Sequence, residues 1–311
     1  MHPGTRTRRA LEPVVFRPPR ALGVITGGGF ALWSFVFAFL AANTVAGGSP
    51  EFKTFLGWTL TAVFTVLGCV FANWAYALLS LSYIIDRDVL TIRWGFREVE
   101  VPIDSILRMV PGRTVDEAQV RGLNWLGCHV GHADVKRMGY TLFYSTHKSP
   151  TELLFVHTTE ESYALTVLDQ AAFAEEVQAR ATLGPMEAHP QRSSATGIAA
   201  FPFWRDQHAL AGAGLSVVAC ALLCGFVFTR YPDLPAIVEL NFPALGTVVR
   251  IGDKQELLKI AYLGLGAMAL NLTLGVVVHA RERAAGLWLI ASGGLLQVVL
   301  LTAAVVAFER A

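Results

Sequence analysis

The chain has 311 residues, of which 53% are hydrophobic and 16% charged, and its mean hydropathy is +0.47. These fractions exclude a simple soluble enzyme and point to a membrane. A net charge of +1 gives no global field for holding a polyanion, so nucleic acid is not an expected partner.

The first twenty residues carry Arg6, Arg8, Arg9, Arg17 and Arg20 against one acid, Glu12. Five apolar runs lie at 22–45, 55–83, 209–229, 257–278 and 286–308, and the one Asp, Glu, Lys or Arg among them is Lys259 at the start of the fourth. Each reaches the roughly 20 residues needed to cross a hydrocarbon core about 30 Å thick. A charge at the bilayer centre costs roughly 2.5–3.5 kcal/mol on insertion scales, so five runs with no charge near their centres are read as five spans. The first run is too long for a cleavable leader and has no small-residue cleavage site.

Basic residues beside span ends are retained on the cytoplasmic side. The basic N-terminus is therefore expected to be cytoplasmic, as is the long segment between spans two and three. The C-terminus is then outside the cell's inner (plasma) membrane. The connection His279-Ala-Arg-Glu-Arg283 agrees in sign, whereas Arg230, Arg250, Lys254 and Lys259 flank an outer loop with acids interleaved.

Residues 84–184 change character and alternate with period two, as half-buried strands do. Strands are expected at 82–85, 89–94 and 97–101 as a meander, then at 140–145, 152–157 and 162–165. Thr166 and Asp169 have the spacing of a capping box, which predicts a helix with Leu168, Ala171, Ala172, Phe173, Val177 and Ala181 on its apolar stripe. Glu175, Glu176 and Arg180 are expected to face water. The stretch 108–137, with Gly122, Gly127 and Gly131, is expected to be an irregular loop. Residues 183–200, rich in Pro and Ser, are read as a linker. Pro235, Pro243 and Gly246 suggest turns of an outer hairpin, with a strand at 248–251.

Six or seven short antiparallel strands closed by one amphipathic helix form the architecture of a pleckstrin-homology-like barrel. The run from Tyr83-Ile-Ile-Asp-Arg-Asp-Val-Leu-Thr-Ile-Arg-Trp94 through Pro102-Ile-Asp-Ser-Ile106 resembles the bacterial PH domain family, and Tyr163-Ala-Leu-Thr-Val-Leu-Asp169 is similar to that family's strand-to-helix ending. The resemblance implies a binding fold and no particular activity. A second stretch, from Leu234 to Gly246, is similar to an outer loop of bacteriocin-immunity-type membrane proteins, with Asn241 where those carry His, and no function is carried over.

Cysteine usage is sparse. Cys69, Cys128, Cys220 and Cys224 are too few for a disulfide framework and read as small buried hydrophobes. Cys128, His129 and His132 have metal-ligand chemistry, yet they lack signature spacing and a further nearby ligand, so no metal is expected. Ser145, His147 and Asp134 have no nucleophile elbow around the serine, so no catalytic residue is assigned. No glycine pattern fits a phosphate loop, and no cofactor is expected. Within the spans Asn73, Asn271 and Gln297 are the main polar groups, and Asn73 and Asn271 are expected to be interhelical hydrogen-bond partners.

Residues 84–183 hold ten Lys and Arg against fourteen Asp and Glu, which argues against broad attraction to anionic lipid. Arg113, Arg121, Trp125, Lys136 and Arg137 nevertheless make one stretch locally basic, and Trp204 ends an aromatic run before the third span. These six are the candidates for membrane-interface or partner contact.

The expected molecule is an integral membrane α-helical protein of five spans with an inserted cytoplasmic α+β PH-like β-barrel domain. Its divisions are 1–83, a basic N-terminus and two-span hairpin; 84–184, the PH-like domain; 185–208, a linker and interfacial segment; and 209–311, three spans. A non-enzymatic binding or scaffolding role is expected, with the lipid bilayer and a protein partner or second copy as partners. The alternative is a transport or export component whose PH-like domain acts as sensor or gate, with Asn73, Asn271 or Gln297 lining a water-accessible cavity.

Overall fold

A computed structural model describes residues 12–115, 119–136, 138–187, 189–240 and 250–310. The chain begins with β1 (Val14–Phe16) and two long helices, α1 (Ala21–Val45) and α2 (Phe52–Ser80). Strands β2 (Ser82–Ile85), β3 (Val89–Trp94), β4 (Arg97–Pro102), β5 (Ile106–Pro111), β6 (Arg121–Trp125), β7 (Cys128–Val135), β8 (Gly139–Ser145), β9 (Leu153–Thr158) and β10 (Ser162–Thr166) follow. Then come α3 (Gln170–Ala181), β11 (Arg192–Ala195), α4 (Gln207–Arg230), β12 (Ile237–Leu240), β13 (Arg250–Asp253), α5 (Gln255–His279) and α6 (Arg283–Arg310). The five helices α1, α2, α4, α5 and α6 are long and apolar enough to cross a membrane, as the five apolar runs require. Of the four cysteines, Cys128, Cys220 and Cys224 are buried, but Cys69 faces outward from α2.

The chain divides into two compact units, the first comprising residues up to Phe35 with Val66–Ala200, the second Val36–Thr65 with Phe201–Ala311. In the first unit the alternating runs form two sheets, ordered β1-β2-β3-β4-β11 and β5-β9-β10-β8-β7-β6. The expected meander is present, with Tyr83 opposite Ile92 and Ile92 opposite Val99. Tyr83, Ile85, Leu90, Ile92, Val99 and Val101 from the first sheet share one core with Tyr144, Leu154, Val156, Tyr163 and Leu165 from the second. Fully burying each large apolar side chain contributes about 1.5–3 kcal/mol, so this shared core is what holds the sheets together.

Tyr83 is the polar link inside that core. Its hydroxyl donates to Tyr144 O at 2.7 Å and accepts from Thr166 N at 3.2 Å, tying β2 to β8 and β10. Burial pushes its phenol well above the ordinary range, so it stays a neutral hydrogen-bonding group.

The expected closed barrel is not formed. The two sheets are separate ladders joined by side chains, and each ends in edge strands. Nor are all strands antiparallel, since β10 runs parallel to β8 with Tyr163 opposite Leu142. Edge strand β1 comes from the basic N-terminus, where Val14 meets Ile85, and β11 comes from the expected linker, where Arg192 meets Glu100. The expected irregular loop instead holds β5, β6 and β7. Within it, Arg121 pairs with His132 and Trp125 with Cys128, leaving Leu126 and Gly127 as a two-residue turn. Gly127 has φ +73°, which a glycine adopts without steric cost.

Helix α3 also begins later than the capping-box spacing suggests. Thr166 remains in β10, its hydroxyl accepting from Thr146 N at 3.0 Å, while Asp169 is the N-cap and accepts from Ala172 N at 2.9 Å. Phe173 and Val177 face the core as expected, but Leu168 lies before the helix and is exposed, and Arg180 is buried rather than solvated.

In the second unit Cys220, Leu223, Cys224 and Val227 of α4 pack with Leu257, Leu258 and Ala261 of α5 and with Ala304 and Phe308 of α6. Asp206 caps α4 through His208 N and Ala209 N, and also accepts from His279 Nε2 at 3.0 Å and Arg283 Nε at 2.6 Å. The Arg283 guanidinium, then the His279 imidazole, hold its carboxyl well below the usual carboxylate range. One side chain thereby links the start of α4, the end of α5 and the start of α6. The segment between α4 and α5 contains a two-stranded hairpin in which Ile237 faces Asp253. The expected strand at 248–251 is described only from Arg250 as part of β13, and Pro243 and Gly246 lie outside the described residues.

Candidate functional site

A groove of about 780 Å³ lies beside β5 and the start of α3. Met109 and Pro111 of β5, Leu154 of β9, and Leu168 and Ala171 leading into α3 supply apolar wall. Arg113 and His147 supply basic groups, and Glu152 and Asp169 acidic ones. The His147 ring stands 4.0 Å from Glu152 Oε2. β5 is the last strand of its sheet and has a ladder partner, β9, on one side only. Leu168 is 78% exposed at the groove, a large apolar side chain left open at a concavity that edge strand β5 also lines.

The expected contact residues do not form one surface. Arg113 is exposed on a short 3-10 turn at the groove. Arg121 starts β6 and Trp125 ends it, roughly 13 Å apart by strand rise. Lys136 lies in the turn after β7, and Arg137 lies outside the described residues. Trp204 is in the second unit, 49% exposed, with its ring edge-on to buried Phe203 at 5.2 Å.

Trp125 is seated within its own unit. Its ring centroid is 5.4 Å from Phe30 of α1 and 5.7 and 5.8 Å from Phe71 and Trp74 of α2. Beside it the Gly127 turn presses onto Gly23, where a Cβ on Gly23 would stand 2.6 Å from Gly127 O.

Strand geometry separates the residues with metal-ligand chemistry. His129 and His132, three apart in β7, point to opposite faces of the sheet. His129 Nδ1 lies 2.6 Å from Asn124 Oδ1, and burial, then Lys148 and His147, lower its pKa. His132 stacks on Tyr140, with centroids 5.4 Å apart. Burial pushes the Cys128 thiol up to about 12, so it is not a ready thiolate. Among the described residues no group of three His, Cys, Asp or Glu is placed to hold a metal ion. Ser145 donates to His129 O at 3.3 Å, whereas Asp134 lies opposite Tyr140 towards the far end of β7, so the imagined triad is dispersed.

The polar span residues are also settled individually. Gln297 is 0% exposed and its amide donates to Gly264 O at 2.8 Å. Asn271 packs against Gly293. Asn73 makes no hydrogen bond to a neighbouring helix among the described residues and lines a cleft in the first unit.

Two stacked sheets with a shared core and a C-terminal helix capped by Asp169 now occupy the stretch after α2. Residues 81–181 match the bacterial PH domain family. The match covers about a third of the chain and coincides with β2 through α3, so the PH domain follows directly on α2. No curated protein and no solved structure matches the chain. Apart from Pro19 the groove is lined by residues of the PH domain, and of these only Arg113 was among the expected contact residues. Met109 sat in a stretch read as loop, and Leu168 in a stripe read as buried.

Proposed function

We propose that this chain is a membrane-tethered binding protein whose PH domain takes an extended segment of a partner protein in the groove between β5 and α3, acting by binding rather than by catalysis. The observation that carries this reading is Leu168, exposed beside an edge strand with one unpaired side. An added strand satisfies its backbone on such an edge, while side-chain pockets beside it give specificity. The mixed rim of Arg113, His147, Glu152 and Asp169 suits a segment carrying both charge signs. Leu168→Asp, at an exposed side chain, is expected to weaken co-purification with the partner at least tenfold, about 1.4 kcal/mol, without changing the fold. Unaltered recovery of the same partner would contradict the groove's role.

The spans fix the domain at the inner (plasma) membrane, with the N-terminus and the PH domain in the cytoplasm and the C-terminus outside. The excess of arginine before α1 supports this sidedness. Arg20 also donates to Leu79 O near the end of α2, where a cation complements the helix dipole. In intact cells an impermeant thiol reagent is expected to label a cysteine placed at Glu309 and to spare one placed at Gln178. The reverse pattern would invert the topology.

A further inference from the structure

A second concavity, of about 400 Å³, opens on the flank where the two sheets fail to join into a barrel. Trp94 and Arg97 border it from the first sheet, and Val130, His132 and Tyr144 from the second. Asn73 and Ala77, on the last two turns of α2, close its remaining side. The cleft therefore abuts a helix long and apolar enough to span a membrane.

Its chemistry is one-sided. No Asp or Glu lines it, although the domain as a whole is acidic. Arg97 is exposed and has no carboxylate partner among the described residues, whereas the neighbouring Arg93 is held by Glu98 at 2.6 Å. His132 stands on the same rim, its ring backed by Tyr140. Trp94 Nε1 is buried without a hydrogen-bond partner, a donor that folding leaves uncommitted. The Asn73 amide likewise makes no hydrogen bond among the described residues. Behind these donors the wall is aromatic and aliphatic, with the Trp94 and Tyr144 rings edge to face at 6.5 Å.

We propose that this cleft binds a single-chain anionic amphiphile drawn from the bilayer. Its carboxylate or phosphate meets Arg97 and His132, and its hydrocarbon chain lies along Trp94, Val130 and Tyr144. Charge-assisted hydrogen bonds to a guanidinium supply the head-group preference, and a cleft with few polar groups in an apolar wall is the ordinary form of a small-molecule site. A peptide is disfavoured, because β3, β4, β7 and β8, which carry the proposed contacts, are paired on both sides, and edge strand β6 borders the cleft only through Leu123. The cleft shares no lining residue with the β5–α3 groove, so either site can fail without the other.

The full chain, purified in an uncharged detergent, is titrated with oleate, 1-oleoyl-lysophosphatidate, monoolein and inorganic phosphate, with binding read by native mass spectrometry. Oleate and the lysophosphatidate are expected to bind at least tenfold more tightly than monoolein, and inorganic phosphate not to compete. Arg97→Gln is expected to weaken both anionic probes about tenfold, and Arg93→Gln, altering an exposed arginine already paired, to leave them unchanged. Trp94→Phe should reduce the tryptophan quenching produced by dibromostearate. Equal binding of monoolein, unchanged affinity in Arg97→Gln, competition by inorganic phosphate, or displacement of oleate by an acidic peptide would each overturn the proposal. A tighter hold on the lysophosphatidate than on oleate would support it and name phosphate as the preferred head group.

Discussion

Replacing Arg180 with alanine is expected to lower the stability of the PH domain by about 3 kcal/mol, the low end of the range for breaking a buried ion pair. The Arg180 side chain is 0% exposed; it donates to Glu176 Oε2 at 2.5 Å and to Glu12 O at 2.8 Å. Glu176 keeps some contact with water, which places the loss at the low end. Removing the guanidinium also loosens the N-terminal segment, whose other anchors include the β1–β2 ladder and the edge-to-face pair of Phe16 with Phe173 at 5.0 Å. Hydrogen exchange at Val14–Phe16 should rise along with the loss of stability in thermal unfolding. Arg180→Met separates the contributions, because it keeps the apolar stem and also removes the buried, unpartnered Nε. If methionine and alanine cost the same, the ion pair and the Glu12 bond carry the effect; if methionine costs little, packing does. No change in either variant would contradict the burial of Arg180.

Trp125→Ala is expected to cost a similar amount, about 3 kcal/mol, at the low end for a packed tryptophan because its ring is only half-buried. Three aromatic neighbours surround that ring, and each well-placed aromatic pair adds about 0.5–1.5 kcal/mol beyond area burial. The variant should melt earlier and expose the Leu126-Gly127 turn to protease. Unchanged melting and cleavage would instead assign Trp125 to partner or lipid contact, the role its basic neighbours suggest from sequence. Phe30, Phe71 and Trp74 are interrupted by apolar residues in runs that any span could carry, so nothing in the sequence marks them as one site.

What was legible follows from the range of each signal. Apolar runs with no charge near their centres mark the five helices, because an intramembrane charge is costly wherever it falls in the middle of a run. The β2–β4 meander is equally clear, since Leu90, Ile92, Val99 and Val101 alternate towards one buried face. β6 and β7 were hidden by their glycines: Gly122 lies opposite Gly131, where a Cβ would meet the facing backbone, so this hairpin needs the residues that suggest a loop. β1 and β11 are short edge strands with little apolar alternation, and only their partners define them. Barrel closure was overestimated because strand order is non-local; the parallel pairing of β8 with β10 is invisible to periodicity. Leu168 has the spacing of a stripe residue, and its exposure depends on Asp169, not Thr166, being the cap.

The central claim is that the groove beside β5 is where this membrane-tethered domain meets its partner. It is tested most directly by replacing Leu168 with a photo-reactive amino acid in intact cells and irradiating. One discrete protein adduct is predicted, lost when Met109→Asp is added and absent when the probe is moved to Gln178 on the exposed side of α3. Equal adducts from positions 168 and 178, or an adduct at 168 indifferent to Met109→Asp, would contradict the account.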